Sequence, residues 1–351
     1  MRAFYHPVQA AHDPQQFMRY GRVVPAQDLP ARVDALLGAL RALGIEPEPP
    51  AGDHQAARLA VHTAGFLDYL ETAWEQWTRL PDHGPEVWPN TFPYWSGRPE
   101  DRARPDCPAD SIVARTGWYL GDLSVALGPR SWPSIRESCN TAVAAAEALI
   151  QSPPSQGLPP PTAYALCRPS GHHARADRAS GFCFVNNTAV AAHRLLARFP
   201  RVAVLDVDAH HGDGTQQIFY SRADVLTVSI HADPKNYYPF FTGYTGEKGH
   251  GAGEGYNLNL PLAHGSDGAE MRAAVEQACE RIHGFGADAL VVALGFDAHA
   301  RDPIGVLKLG ANDFGDIGAR VRRMGLPTLV VQEGGYAVDV LGDCLTAFLR
   351  A

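Results

Sequence analysis

A chain of 351 residues is long enough for one large α/β unit or two domains of ordinary size. With 45% apolar and 19% charged residues it can bury a substantial core, which excludes general disorder. Thirty Lys+Arg against thirty-eight Asp+Glu give −8; nucleic acid is thereby disfavoured as a partner, because neutralising phosphates needs a basic surface, while a cationic ligand is compatible.

In chain order, the opening residues Met1 to His6 lack the apolar stretch of a signal peptide, and no apolar run approaches the ~20 residues that span a bilayer. No membrane partner is expected, and a cytoplasmic protein is. Arg32–Leu43 carries Val33, Leu36, Leu37, Leu40 and Leu43 on one stripe and stops at Gly44, which predicts a helix. Pro81–Pro108 is rich in proline, aromatics (Trp88, Phe92, Tyr94, Trp95) and acids (Glu86, Glu100, Asp101), too long for an ordinary connection. Gln151–Pro161 reads as a Pro-rich surface linker. Thr162–Cys167, Val202–Val207, Val225–Ile230, Ala289–Leu294 and Pro327–Gln332 are continuously apolar and predict parallel strands buried on both faces. Between them, Thr188–Phe199 after Asn187, and Gly268–His283 after Asp267 with Glu270 as capping-box partner and Gly284 as stop, predict helices. Ala232–Tyr256 reads as a long loop. Such alternation predicts an α/β fold with a parallel sheet flanked by helices. The cysteines at 107, 139, 167, 183, 279 and 344 form no CxxC pair and read as free thiols of a reducing compartment.

Chemistry concentrates just beyond the predicted strands, where open parallel sheets bind ligands. Asp206-Val-Asp208-Ala-His210-His211-Gly212-Asp213 follows one strand. Asp208 and His210, two residues apart on an extended segment, should face the same way. Carboxylate plus imidazole suits Zn²⁺ or a similar divalent ion. Asp297, in Gly295-Phe-Asp-Ala-His299 after another strand, would be a third ligand, and an Asp/His/Asp set leaves coordination positions open for water and substrate. The tandem His172-His173 after a third strand invites general acid–base work, with Asp206 and Asp213 free to hold their Nδ1–H groups. Glu333-Gly-Gly-Tyr336 follows a fourth strand, and the tyrosine hydroxyl could donate to an oxyanion. Each piece has a plain structural alternative: a turn residue for Asp297, loop histidines for the tandem pair, a packed aromatic for Tyr336. Gly249–Gly255 lacks dinucleotide spacing, His193 reads as a surface or packed histidine, and Cys183 as a core thiol.

The blocks Arg168-Pro-Ser-Gly-His-His173, Ser180-Gly-Phe-Cys-Phe-Val-Asn-Asn187, Asp206–Thr215, Gly295–Ala298 and Glu333–Tyr336 together resemble the histone deacetylase superfamily, in order and spacing, from about Val61 to the C-terminus. Within it, the Gly181–Asn187 block, the Asp206–Gln216 block and the insertion resemble the bacterial acetylpolyamine amidohydrolases. The resemblance implies the arginase–deacetylase fold and one catalytic domain over 1–351, with an insertion at about 81–110. It implies Asp208, His210 and Asp297 as zinc ligands, with Fe²⁺ also compatible. His173 becomes the general base and acid, His172 its electrostatic partner, Asp206 and Asp213 their supports, and Tyr336 the oxyanion donor. Phe182 and Tyr238 would wall the channel beside Gly181; the family often has phenylalanine where this chain has Tyr238. Glu86 and Glu100 in the insertion would attract ammonium groups. Structural potassium is implied at Asp206, Asp208, His210, Ser229 and Ile230, and at Phe219, Arg222, Val225 and Tyr256, with Arg222 contributing its carbonyl.

These assignments imply hydrolysis of acetyl or short acyl amides of polyamines or similar cationic amines, by a homodimer formed through the insertion. A protein acetyl-lysine deacetylase, a broad short-chain amidase, or a catalytically silent binder of acylated ligands or polyamines remain alternatives. Arginase-like chemistry is disfavoured because Asp297-Ala-His299 lacks the second carboxylate of a binuclear site.

Overall fold

The computed structural model describes residues 1–93, 104–152 and 159–351. The expectations for Tyr94, Trp95, Glu100 and Asp101, and for most of the 151–161 linker, lie outside the described residues.

The strands are β1 (Arg2–Phe4), β2 (Gln16–Arg19), β3 (Arg22–Pro25), β4 (Thr162–Ala165), β5 (Val202–Asp206), β6 (Val225–Ala232), β7 (Asn257–Leu262), β8 (Ala289–Leu294) and β9 (Thr328–Gln332). The helices are α1 (Ala31–Ala42), α2 (Gln55–Leu59), α3 (Ala64–Trp77), α4 (Ile112–Tyr119), α5 (Ser131–Gln151), α6 (Asn187–Leu195), α7 (Asp213–Phe219), α8 (Gly268–Phe285), α9 (Ala311–Arg323) and α10 (Val338–Arg350). Seven strands form one parallel sheet in the order β1-β4-β9-β8-β5-β6-β7, and β2 and β3 pair as a separate antiparallel hairpin.

The five apolar runs are the five central strands. Along β5, Ala203 and Leu205 pack with α1, α8, α9 and α10 on one face, while Val202 and Val204 pack with α5, α6 and α7 on the other. Both faces are covered, so every β5 residue is buried and the strand needs no polar alternation. At about 2 kcal/mol for a fully buried Val or Leu side chain, this two-sided burial is the main stabilising term of the sheet. The edge strands β1 and β7 escape an apolar-run search. β1 has only three residues, and Asn257, Asn259 and Pro261 interrupt β7.

Helix boundaries follow local chemistry. Asn186, not Asn187, caps α6 by accepting from the Ala189 amide. The Asp267–Glu270 capping box starts α8 as expected, but the helix runs to Phe285, because the left-handed residue (φ +72°) is Gly286 and not Gly284. α1 ends at Ala42, with Gly44 in the left-handed conformation just beyond. Ala232 belongs to β6, and the long loop runs from 233 to 256.

In-register pairing aligns the carboxyl ends of the central strands: Asp206 lies opposite Ser229 and Ala293, and Leu294 opposite Gln332. The segments that follow β4, β5, β8 and β9 therefore open onto one edge. No helix among the described residues is long and apolar enough to cross a membrane.

Candidate active site

Beyond β5 the chain bends rather than extends. The His210 amide donates to Asp208 Oδ1 at 2.9 Å, and this turn, not strand alternation, brings the two side chains together. Asp297, from the end of β8, accepts from the Ala209 amide at 2.7 Å, and Asp208 Oδ2 accepts from the Gly334 amide at 2.9 Å. Three strand ends are thus laced to one another through backbone amides. Two glycines make room: a Cβ on Gly295 would stand 2.1 Å from Asp208 Oδ2, and one on Gly334 would stand 2.5 Å from it. Ligand atoms of Asp208, His210 and Asp297 lie within 4.8 Å of one another, all buried. Burial and the neighbouring Asp208 push the Asp297 carboxyl up, the direction expected for two buried carboxylates side by side. A divalent cation among these donors would relieve that repulsion, so the residues present fit a metal ion.

The tandem histidines sit next to this group, with ring centroids 4.0 Å apart. His172 Nδ1 is 2.9 Å from Asp206 Oδ2, and His173 Nδ1 is 2.8 Å from Asp213 Oδ1. Arg175 donates to the other Asp213 oxygen at 3.0 and 3.2 Å. Burial opposes charge on Asp213, but Arg175 and His173 hold its carboxyl well below the usual range. An anionic Asp213 accepts the Nδ1 proton of His173 and leaves Nε2 free. The two imidazoles divide their protonation. Burial disfavours charge on both, yet Asp208 and Asp206 hold His172 well above its ordinary value, while burial and His172 lower His173 to about 4.

A cavity of about 210 Å³ opens onto these groups, lined by His173, Gly181, Phe182, His210, Tyr238 and Tyr336, with Phe17 and Tyr20 of the β2–β3 hairpin at its side. Gly181 and Phe182 both adopt left-handed backbone, at φ +55° and +65°. Glycine is required at 181, since a Cβ there would stand 2.3 Å from the His173 ring. Left-handed backbone at a phenylalanine costs roughly 1–3 kcal/mol, which marks Phe182 as a constrained wall residue. The Tyr336 ring packs edge-on against Phe182 at 5.6 Å, and its amide donates to Asp302 at 2.7 Å. Burial pushes its phenol well above the ordinary value, so the hydroxyl remains a donor.

Not every expected residue joins the site. Glu86 is buried, accepts from the Gln15 amide at 3.0 Å, and is absent from the cavity lining, so it cannot meet a substrate ammonium there. Glu100 lies outside the described residues. Of the expected potassium ligands, Asp206 and Ser229 are paired across β5 and β6, with Ile230 next in β6. In the second set, the Arg222 guanidinium is turned to Asp224, the Phe219 carbonyl accepts from the Arg222 amide, and the Tyr256 carbonyl from the Thr227 amide. Cys183 is a buried core thiol pushed well up by burial, and His193 is half-buried on α6.

Two supports were not foreseen. Glu333, read only as part of a motif, accepts from the Gly171 and His172 amides at 2.7 and 3.1 Å and from the Thr188 hydroxyl at 2.7 Å, anchoring the histidine loop. With its oxygens so occupied, the nearby grouping of His172, Cys183 and Glu333 is a structural junction rather than a metal site. Arg32, on the buried face of α1, donates to the carbonyls of Gly335 and Glu333 and lies 4.9 Å from the Tyr336 ring centre. An arginine set among the apolar stripe of α1 was the available signal.

A strand-end Asp/His/Asp group beside paired imidazoles and a tyrosine, on a parallel sheet, is a set of residues suited to metal-assisted hydrolysis. Residues 27–351 match the histone deacetylase domain, and the chain belongs to that family. It is 41% identical to the acetylpolyamine amidohydrolase of Burkholderia pseudomallei (strain 1710b) over 97% of this chain and 95% of the relative. It is also 41% identical to acetylpolyamine amidohydrolase 1 of Pseudomonas aeruginosa, over 97% and 96%. A crystal structure of the acetylpolyamine aminohydrolase from Burkholderia pseudomallei superposes with a TM-score of 0.92 at 40% identity, covering all of this chain and 98% of the other.

Proposed function

We propose that the chain removes acetyl groups from acetylated polyamines or similar small linear amines, using zinc held by Asp208, His210 and Asp297. One observation carries the reading: His173, Tyr336 and His210, the last grouped with Asp208 and Asp297, line a single aromatic-walled cavity. Bound there, zinc supplies Lewis acidity toward the amide carbonyl and the attacking water.

The remaining chemistry belongs to side chains of the protein. His173, neutral and fixed through Nδ1 by Asp213, takes the proton of the attacking water at Nε2 and returns it to the departing amine nitrogen. His172, whose hold on a proton Asp208 and Asp206 strengthen, stands beside it as its electrostatic partner. The Tyr336 hydroxyl donates to the oxyanion of the tetrahedral intermediate. Phe182 and Tyr238 confine an unbranched chain between their rings and exclude water from it. The names of the relatives and the net charge of −8 support a small cationic amine as substrate. Potassium at the two sets of positions named above, a homodimer through the 81–110 segment and a cytoplasmic location complete the proposal, and the net charge of −8 disfavours nucleic acid as a partner.

The test compares kcat/KM for N-acetylputrescine, the neutral N-butylacetamide and an acetyl-lysine peptide on zinc-loaded enzyme. Acetylputrescine should be preferred. Equal rates for the cationic and neutral amides would overturn the polyamine assignment, and preference for the peptide would favour a protein deacetylase.

A further inference from the structure

Tyr238 carries a hydroxyl in a wall that an apolar ring alone could form. That hydroxyl donates to Asp122 Oδ2 at 2.6 Å, and the same oxygen accepts from the Gly181 amide at 3.2 Å. Asp122 Oδ1 accepts from the amide and the hydroxyl of Ser124 at 2.8 and 2.5 Å. A carboxylate offers about four lone-pair sites, and here protein donors take all of them. Asp122 is therefore an anchor rather than a group held open for a ligand. It joins three separate stretches of chain: its own loop between α4 and α5, the loop after β4 that carries Gly181 and Phe182, and the loop after β6 that carries Tyr238.

What it holds is the wall around the base. The Tyr238 ring meets the His173 ring edge-on at 5.0 Å and 90°, and Gly181 packs closely against both, a Cβ there standing 2.3 Å from the imidazole and 3.0 Å from the Tyr238 ring. Burial and Asp122 push the Tyr238 phenol well up, so the donor keeps its proton. The groove that Asp122 lines shares Met18, Ser124, Tyr238 and Phe240 with the channel, which puts the anchor at the channel's rim.

We propose that Asp122 is a positioning residue that sets the bore of the channel, tying Tyr238 to the Gly181–Phe182 wall and so determining which amines reach His173. The inference rests on the amide-hydrolysing channel proposed above. A phenol tethered at its tip cannot swing aside, whereas an untethered ring can yield to a wider substrate.

The experiment measures kcat/KM for N-acetylputrescine and for the wider N-benzylacetamide on zinc-loaded wild type, D122A, Y238F, the double variant and D122N, with thermal melts of each. Y238F removes one oxygen atom and keeps the question decidable if D122A does not fold. D122A and Y238F should each raise the benzyl-to-putrescine ratio about tenfold, the scale on which pockets discriminate by size. The double variant should shift it no further than either single variant, because both break one tether. D122N, whose amide oxygen still accepts from Tyr238, should keep most of the wild-type ratio. Unchanged ratios in D122A and Y238F, or shifts that add in the double variant, overturn the inference. So does a D122N variant that loses only acetylputrescine turnover, which would make Asp122 a reader of charge. A wild-type enzyme that hydrolyses neither amide overturns the channel reading and the tether with it, whereas a wild type lacking cation preference overturns only the polyamine assignment, the tether still being judged by the ratios.

Discussion

His173 and Tyr336 face the same cavity but do different work, and single substitutions separate them. Tyr336→Phe removes one hydrogen-bond donor from the oxyanion and leaves the Asp/His/Asp group intact. Turnover should fall about 10²–10³-fold with zinc content unchanged, measured by steady-state kinetics and elemental analysis. His173→Gln should lower kcat by about 10²–10⁴-fold with little change in KM. The pH profile carries a sign. Burial and His172 lower His173 to about 4, and the base must be neutral to act. Activity should therefore persist as pH drops below 6.5, the ordinary histidine value, and a bound cation nearby would push in the same direction. An acid limb of kcat/KM centred above 6.5 would contradict this assignment of the base.

Among the elements, the strand ends owe their convergence to glycines as much as to ligands. Gly334 follows β9 and its amide holds Asp208, while a side chain at that position would press on Asp208 and Asp297 together. Gly334→Ala should weaken zinc binding about 10–100-fold, as loss of ligand-orienting contacts commonly does, read by chelator competition. Zinc itself should raise the melting temperature of the wild type and do so far less in Asp297→Ala, because a ligand that binds only the folded state stabilises it.

At the scale of the whole molecule, the N-terminal segment is pinned to the active-site edge by buried charge. Asp28 pairs with Arg32 at 2.5 Å and with Arg168 at 2.9 Å, and Arg168 also donates to the carbonyls of Gln9 and His12. Asp28→Asn leaves two buried guanidiniums without their shared counter-charge and should cost about 3–5 kcal/mol at neutral pH, measured by denaturant unfolding. Burial alone would raise the Asp28 carboxyl, but Arg168 and Arg32 lower it from 3.8 to about 2. Its ionised form stabilises the fold above pH ~4, and that contribution of roughly 2 kcal/mol is lost as pH falls from about 4 to about 2.

The sequence alone determined the central sheet and most of the reacting groups. Strands buried on both faces must be continuously apolar, and groups that serve a parallel sheet must follow its strands, so the local pattern near Asp206, Asp297, His172 and Tyr336 was sufficient. It could not determine what depends on contacts between distant stretches. Glu86 and Asp122 both look like surface acids in the chain; the fold buries one against the Gln15 amide and ties the other to Tyr238 and Gly181. The same holds for Glu333 beneath the histidine loop and Arg32 behind Tyr336. A buried polar group is defined by the partners that satisfy it, and those partners come from across the molecule.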